Sequence, residues 1–192
     1  MLKRTLGLYL NYLAAKWKYR GKVKFNGFTV LYAFPDSKIT FGGGGVSVDS
    51  HPLSNLSGLY QRTIIVARYG GKIEIGEHCG ISGSTIYAWD SIRIGKYTRV
   101  GANCKIIDND FHPVELEYRH KGLNKEFTRR KPIQIGEDCF IGANSIILKG
   151  TKLGNNVIVG AGSVVHGEWP DNCIIAGNPA KFICENKPKN EE

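Results

Sequence analysis

The chain has 192 residues, about one domain's worth, and its 42% hydrophobic content is enough to bury a core, which excludes a wholly disordered chain. Its 24 glycines follow no G-X-Y period, excluding collagen, and are too many for a helical bundle. The formal charge of +9 is local: residues 1–24 carry Lys3, Arg4, Lys16, Lys18, Arg20, Lys22 and Lys24 with no acid, while the remainder holds 19 basic and 17 acidic residues. Such a patch suits an anionic lipid surface better than a nucleic acid, so no nucleic-acid partner is expected. No run of ~18 apolar residues could span a bilayer, and Asn11, Tyr12, Lys16 and Lys18 interrupt any signal-peptide apolar region. A cytoplasmic location is therefore expected.

In chain order, the first predicted element is a basic amphipathic helix over residues 1–22. Leu2, Leu6, Leu10, Leu13 and Trp17 recur at helical spacing, with Tyr9 on the same side. That stripe could pack on the rest of the fold or on a neighbouring subunit, or lie in the surface of the inner membrane leaflet. Next come short extended pieces, Ile39-Thr40-Phe41 and Val46-Ser47-Val48, around the glycines at 42–45. That glycine run is not a phosphate loop, because no Gly-Lys-Ser/Thr follows it.

From residue 75 a period of six takes over. Ile75, Ile81 and Tyr87 are followed, after a one-residue slip, by Ile94, Val100 and Ile106, with Cys79, Thr85, Ser91, Thr98 and Cys104 four residues behind successive positions. The period resumes at Ile135 and runs through Ile141, Ile147, Leu153, Val159 and Val165, with Cys139, Ser145, Thr151, Val157 and Ser163 as the compact residues. Six is neither the helical period nor that of a long strand. It fits a chain that turns a corner every six residues and sends one apolar side chain per edge into a narrow interior, with glycine allowing the corner. Three such edges make one coil, and about five or six coils stack into a parallel β-helix over residues 23–183, ahead of a charged tail at 184–192. The five cysteines contain no C-x-x-C pair, so neither a disulfide framework nor a zinc site is expected, and three of them read as corner fillers.

The hexapeptides, ending in Ile-Ile-Ala-Gly-Asn-Pro-Ala-Lys at 174–181, resemble those of the hexapeptide-repeat acyltransferases, in particular the sugar O-acetyltransferases of the galactoside, maltose and polysaccharide type. The resemblance covers roughly residues 40–183. It implies an all-β fold, a left-handed parallel β-helix, a homotrimer with active sites between subunits, and acetyl-coenzyme A as donor. It also implies a sugar, sugar-nucleotide or lipid-linked glycan as acceptor, in the synthesis of cell-surface polysaccharide or lipopolysaccharide. Two alternatives stay open: an N-acetyltransferase for an amino-sugar nucleotide, and a non-enzymatic β-helical assembly protein.

The repeat breaks between Ile106 and Ile135, 23 residues longer than the period allows, and the excess makes an inserted loop, 107–132, that a β-helix has no packing need for. It opens Asp108-Asn109-Asp110-Phe111-His112-Pro113. In the resembling enzymes a His-Pro loop at this point supplies the catalytic base, which implies that role for His112. The chemistry asks for such a group, because a sugar hydroxyl is a poor nucleophile until a base with a pKa near the working pH takes its proton. Asp108 or Asp110 is expected to orient the second ring nitrogen. The resemblance further implies coenzyme contacts at Ala143, Ala161, Ser163, His166, Gly167 and Lys181, and acceptor contacts at Ser82 and Asp90. The family more often has Asn in place of Ser82. His51 and His120 are further acceptor-side candidates. No pair of histidines has metal-ligand spacing, so no metal is expected.

Overall fold

In the computed structural model, residues 2–187 are described, with side chains from residue 6 onward. The side chain of Leu2 and residues 188–192 of the expected tail lie outside the described residues. Helix α1 (Leu2–Lys18) leads into six stacked coils, each of three short strands. The first holds β1 (Val23–Asn26), β2 (Val30–Ala33) and β3 (Lys38–Phe41), and the second β4 (Val46–Asp49), β5 (Ile64–Ala67) and β6 (Lys72–Ile75). The third holds β7 (Gly80–Ser82), β8 (Thr85–Ala88) and β9 (Ser91–Ile94), and the fourth β10 (Arg99–Val100), β11 (Lys105–Ile107) and β12 (Ile133–Ile135). The fifth holds β13 (Phe140–Ile141), β14 (Ile146–Ile147) and β15 (Lys152–Leu153), and the sixth β16 (Ile158–Val159), β17 (Val164–Val165) and β18 (Glu168–Trp169). A hairpin, β19 (Cys173–Gly177) with β20 (Ala180–Glu185), closes the stack.

Every third strand is a neighbour, which gives three parallel sheets, the faces of a left-handed β-helix; the closing strands β19 and β20 pair antiparallel. The register turns the hexapeptide period into columns. Val48, Ile81, Val100, Ile141, Val159 and Ile175 stack inside the first face. Ile65, Ile86, Ile106, Ile147 and Val165 stack inside the second, and Ile75, Ile94, Ile135, Leu153 and Trp169 inside the third. All but Trp169 are buried. Each coil covers the edges of its neighbours, so no single coil has a core of its own.

The corners explain the small residues. Cys79, Cys104 and Cys139 are buried there as expected, with Sγ 3.1–3.2 Å from the carbonyls of Gly95, Gly142 and Gly154 respectively. Glycine follows an edge residue because coils nearly touch: a Cβ on Gly142 would lie 2.5 Å from the Ala161 nitrogen. Asn103, Asn144 and Asn156 take the left-handed conformation at other corners, which Asn tolerates better than most side chains.

One edge differs from the sequence reading. The inward residue of β8 is Ile86, fully buried, and Tyr87 points outward to meet Phe111 at a ring separation of 5.0 Å. The corner before it is filled by Ser84 rather than Thr85; its hydroxyl lies 2.8 Å from the Ser82 carbonyl and accepts from the Cys104 N–H. The slip is thus one residue earlier than the period suggests, and the extra residues fall at Trp89-Asp90.

Helix α1 packs over the open end of the first coil, with a different side from the one the leucine spacing picks out. Tyr12, Ala15 and Tyr19 are buried, and the Tyr19 hydroxyl donates to the Ile39 carbonyl at 2.8 Å. Leu6, Tyr9, Leu10, Leu13 and Trp17 face outward, Trp17 at 81% exposure. No described helix is long and apolar enough to cross a membrane. Besides the expected loop at 107–132 there is a second excursion, residues 50–63 between β4 and β5; it climbs the corner between the first and second faces, where Tyr60 reaches Asn144.

Candidate active site

The insertion leaves the corner between the second and third faces and is a small folded unit. Its base is closed by an antiparallel bridge between Asn109 and Arg130, and by Lys131 N–H donating to the Asp108 carbonyl at 3.0 Å. Two short helices follow, α2 (Leu116–His120) and α3 (Asn124–Phe127), pinned by Tyr118 stacked on Phe127 at 3.8 Å and by an Arg129–Glu115 ion pair at 2.5 Å. That pair holds the Glu115 carboxyl below its usual range.

His112 is exposed on this unit, and its Nδ1 lies 3.0 Å from Oδ1 of Asn124. An amide oxygen only accepts, so the contact places the ring proton on Nδ1 and leaves the Nε2 lone pair free. The backbone before it is fixed. Phe111 has φ +60°, a costly conformation for an aromatic residue, and its N–H donates to the Asn109 side chain at 2.9 Å.

Neither Asp108 nor Asp110, expected to orient the ring, makes this contact; the side chain at Nδ1 is that of Asn124. Asp108 is fully buried, and its two oxygens accept the N–H groups of Trp89 and Asp90, each at 2.8 Å. Burial pushes its pKa up, against the pull of those donors. It clamps the Trp89-Asp90 corner on which the loop sits. Asp110 forms an ion pair with Lys149 at 2.5 Å. Sequence spacing offered no signal for Asn124, which meets His112 only because α3 folds back across a twelve-residue gap.

The other expected residues divide between two corners. Ser82, Ala143 and Ala161 lie at the corner between the first and second faces, where the Gly162 N–H donates to the Ala143 carbonyl and stacks those two coils. Asp90, His166 and Gly167 lie at the next corner, below and above the insertion. Ser82 is 9% exposed and its hydroxyl is 3.5 Å from Asp49, whose other oxygen accepts from Asn26 at 2.6 Å. Ser163 is fully buried, donating to the Gly160 carbonyl and accepting from the Gly177 N–H, so only its backbone can meet a ligand. The Trp169 indole donates to the His166 carbonyl and fixes that turn, and Lys181 is exposed on β20. His51 caps the short turn Pro52–Ser54 and His120 ends α2, both exposed. Among the described residues no three His, Cys, Asp or Glu side chains group to hold a metal.

One chain thus offers a base with a free nitrogen at one edge and a ladder of small residues at another. Residues 132–166 match the hexapeptide repeat of succinyl-transferase. The chain resembles the hexapeptide-repeat acetyltransferases. A protein of Escherichia coli strain K12, named provisionally as a lipopolysaccharide biosynthesis O-acetyltransferase, is 34% identical over 98 residues, 49% of this chain and 50% of that protein. The chain spans about half, or less, of the length of the curated relatives it matches. The crystal structure of a polysialic acid O-acetyltransferase superposes with a TM-score of 0.61 at 23% identity, covering 88% of this chain and 77% of that one. An N-acyltransferase from Bacillus cereus, crystallised with coenzyme A and an amino-sugar nucleotide, superposes at 0.57 with 20% identity, covering 92% and 90%. At these identities the structural likeness speaks for the fold.

Proposed function

We propose that this protein is an acetyl-coenzyme A-dependent O-acetyltransferase that acts on a sugar hydroxyl in the making of cell-surface polysaccharide or lipopolysaccharide. The observation that carries the reading is His112, held through Nδ1 by Asn124 with Nε2 free, on a folded insertion that the β-helix itself does not need. Nε2 takes the hydroxyl proton as the oxygen attacks the thioester carbonyl; the thiolate of coenzyme A then leaves and takes up a proton. The pantetheine arm lies along the small-residue ladder at Ala143, Ala161 and the Ser163 backbone, meets His166 and Gly167, and sets its phosphates near Lys181. Asp90 and Ser82 contact the acceptor.

Because those residues occupy two different edges of one chain, a complete site needs a second copy, and a homotrimer closes three such sites in a ring. Light scattering that found an active monomer would refute this. The outward stripe of α1, with Trp17 and Tyr9 flanked by Lys16, Lys18 and Arg20 and no acid nearby, supports contact with an anionic membrane surface. Each basic residue near such a surface contributes roughly 1 kcal/mol, so salt should weaken binding to anionic vesicles. The activity itself is tested by mass spectrometry of a panel of sugars and sugar nucleotides after incubation with acetyl-coenzyme A. An ester-linked acetyl product supports the reading, an amide-linked product replaces it with N-acetylation, and no product with any acceptor refutes it.

A further inference from the structure

Beneath the insertion lies a cavity of about 330 Å³ whose walls include Tyr69, Lys72, Trp89, Asp90, Ser91 and Arg130. Its apolar wall is built: Trp89 is 4% exposed and meets Tyr69 edge to face at 4.7 Å. Its rim is cationic. Lys72 and Arg130 are exposed, the Arg68 guanidinium sits 4.4 Å from the centre of the Tyr69 ring, and Lys125 lies 5.8 Å from the same ring. Among the described residues none of these four cations forms an ion pair. The carboxylate on its wall is Asp90; Asp108 is buried, its oxygens taken by the N–H groups of Trp89 and Asp90.

The cavity is tied to the base from two sides. Phe111, next to His112, packs against Trp89 at 6.1 Å, and Lys125, next to Asn124, reaches over Tyr69. We propose that this cavity binds an anionic oxygen group of the acceptor, a carboxylate or a phosphate, and so presents a hydroxyl of the attached sugar to His112. The proposal rests on the acetyltransferase reading and narrows it to acidic or phosphate-bearing sugars. Lys72 and Arg130 on the wall, with Arg68 and Lys125 over the Tyr69 ring, favour a localised negative charge. A neutral sugar would leave those cations unused.

The test is a binding comparison by NMR on the full chain with glucose, glucuronate and glucose 1-phosphate. At least one anion should bind roughly tenfold or more tightly than glucose, less so as salt rises, and the tighter of the two identifies carboxylate or phosphate as the source. Joint Lys72→Gln and Arg130→Gln should erase the preference without changing the melting temperature, since both side chains are exposed; Arg68→Gln should reduce it independently. Anions that bind no more tightly than glucose, or a preference that survives the double substitution, would overturn the proposal. Failure to acetylate any sugar would instead overturn the acetyltransferase reading, and the binding comparison would still decide the cavity.

Discussion

Replacing Asn124 by Ala removes the only side-chain acceptor found at His112 Nδ1 among the described residues and leaves the imidazole itself in place. Without that acceptor the ring can rotate, and it can carry its proton on either nitrogen, so Nε2 is a free base only part of the time. A net hydrogen bond of this kind contributes about 0.5–1.5 kcal/mol, which corresponds to a fall in kcat of roughly 2- to 10-fold. Removing the base altogether should cost about 10²–10⁴-fold. The KM for the acceptor should barely move, because Asn124 is assigned no contact with it, and Asn124→Asp should retain most of the turnover by keeping an acceptor at the same distance. The assay is steady-state acetyl transfer with release of coenzyme A followed by a thiol reagent. If Asn124→Ala kept full kcat while His112→Ala lost it, the contact would not set the tautomer, and the reasoning from it would fail.

Four further outcomes follow from the fold. Ile86→Ala should destabilise the protein by about 2–5 kcal/mol in urea or thermal unfolding, and Tyr87→Ala by clearly less, because Ile86 is the residue inside the column. In the native protein only the exposed Cys184 should react with a thiol reagent at pH 8, since Cys79, Cys104, Cys139 and Cys173 are buried. Burial also pushes Cys79 and Cys139 up to about 11 from an ordinary 9.0, so the stability they contribute is whole below pH 9 and is lost as the pH rises through 11; alkaline melting curves would check this. Asp108→Asn sets an amide N–H₂ against one of the two N–H donors it now accepts, and should lower the melting point by the equivalent of about 1–3 kcal/mol, with faster proteolysis inside residues 108–132.

The coils were legible because a six-residue period leaves little choice: an apolar residue per edge and a compact one per corner admit a triangular stack and little else. Where the period was ambiguous, between Ile81 and Ile94, spacing favoured Tyr87 over Ile86; burial decided for the side chain without a polar end. The insertion was legible as a break in the repeat, with the His112-Pro113 step inside it. Its support was not. Asn124 meets His112 across twelve residues through the fold of the loop, while Tyr69, Trp89 and Arg130 meet because successive coils and the base of the loop stack at one corner, and no spacing rule links them. The stripe of α1 shows the converse: helical spacing found the apolar side correctly, yet the residues that hold the helix down are Tyr12, Ala15 and Tyr19, whose hydroxyls and small methyl group suit the crowded first coil.

The central claim is that His112 is the base for acetyl transfer from a coenzyme held elsewhere. The most direct measurement is turnover of His112→Ala beside its affinity for coenzyme A, with an acceptor that the intact protein acetylates. Turnover should fall by about 10²–10⁴-fold while coenzyme A binds as before. Near-normal turnover in His112→Ala would contradict the assignment and move the base to another residue.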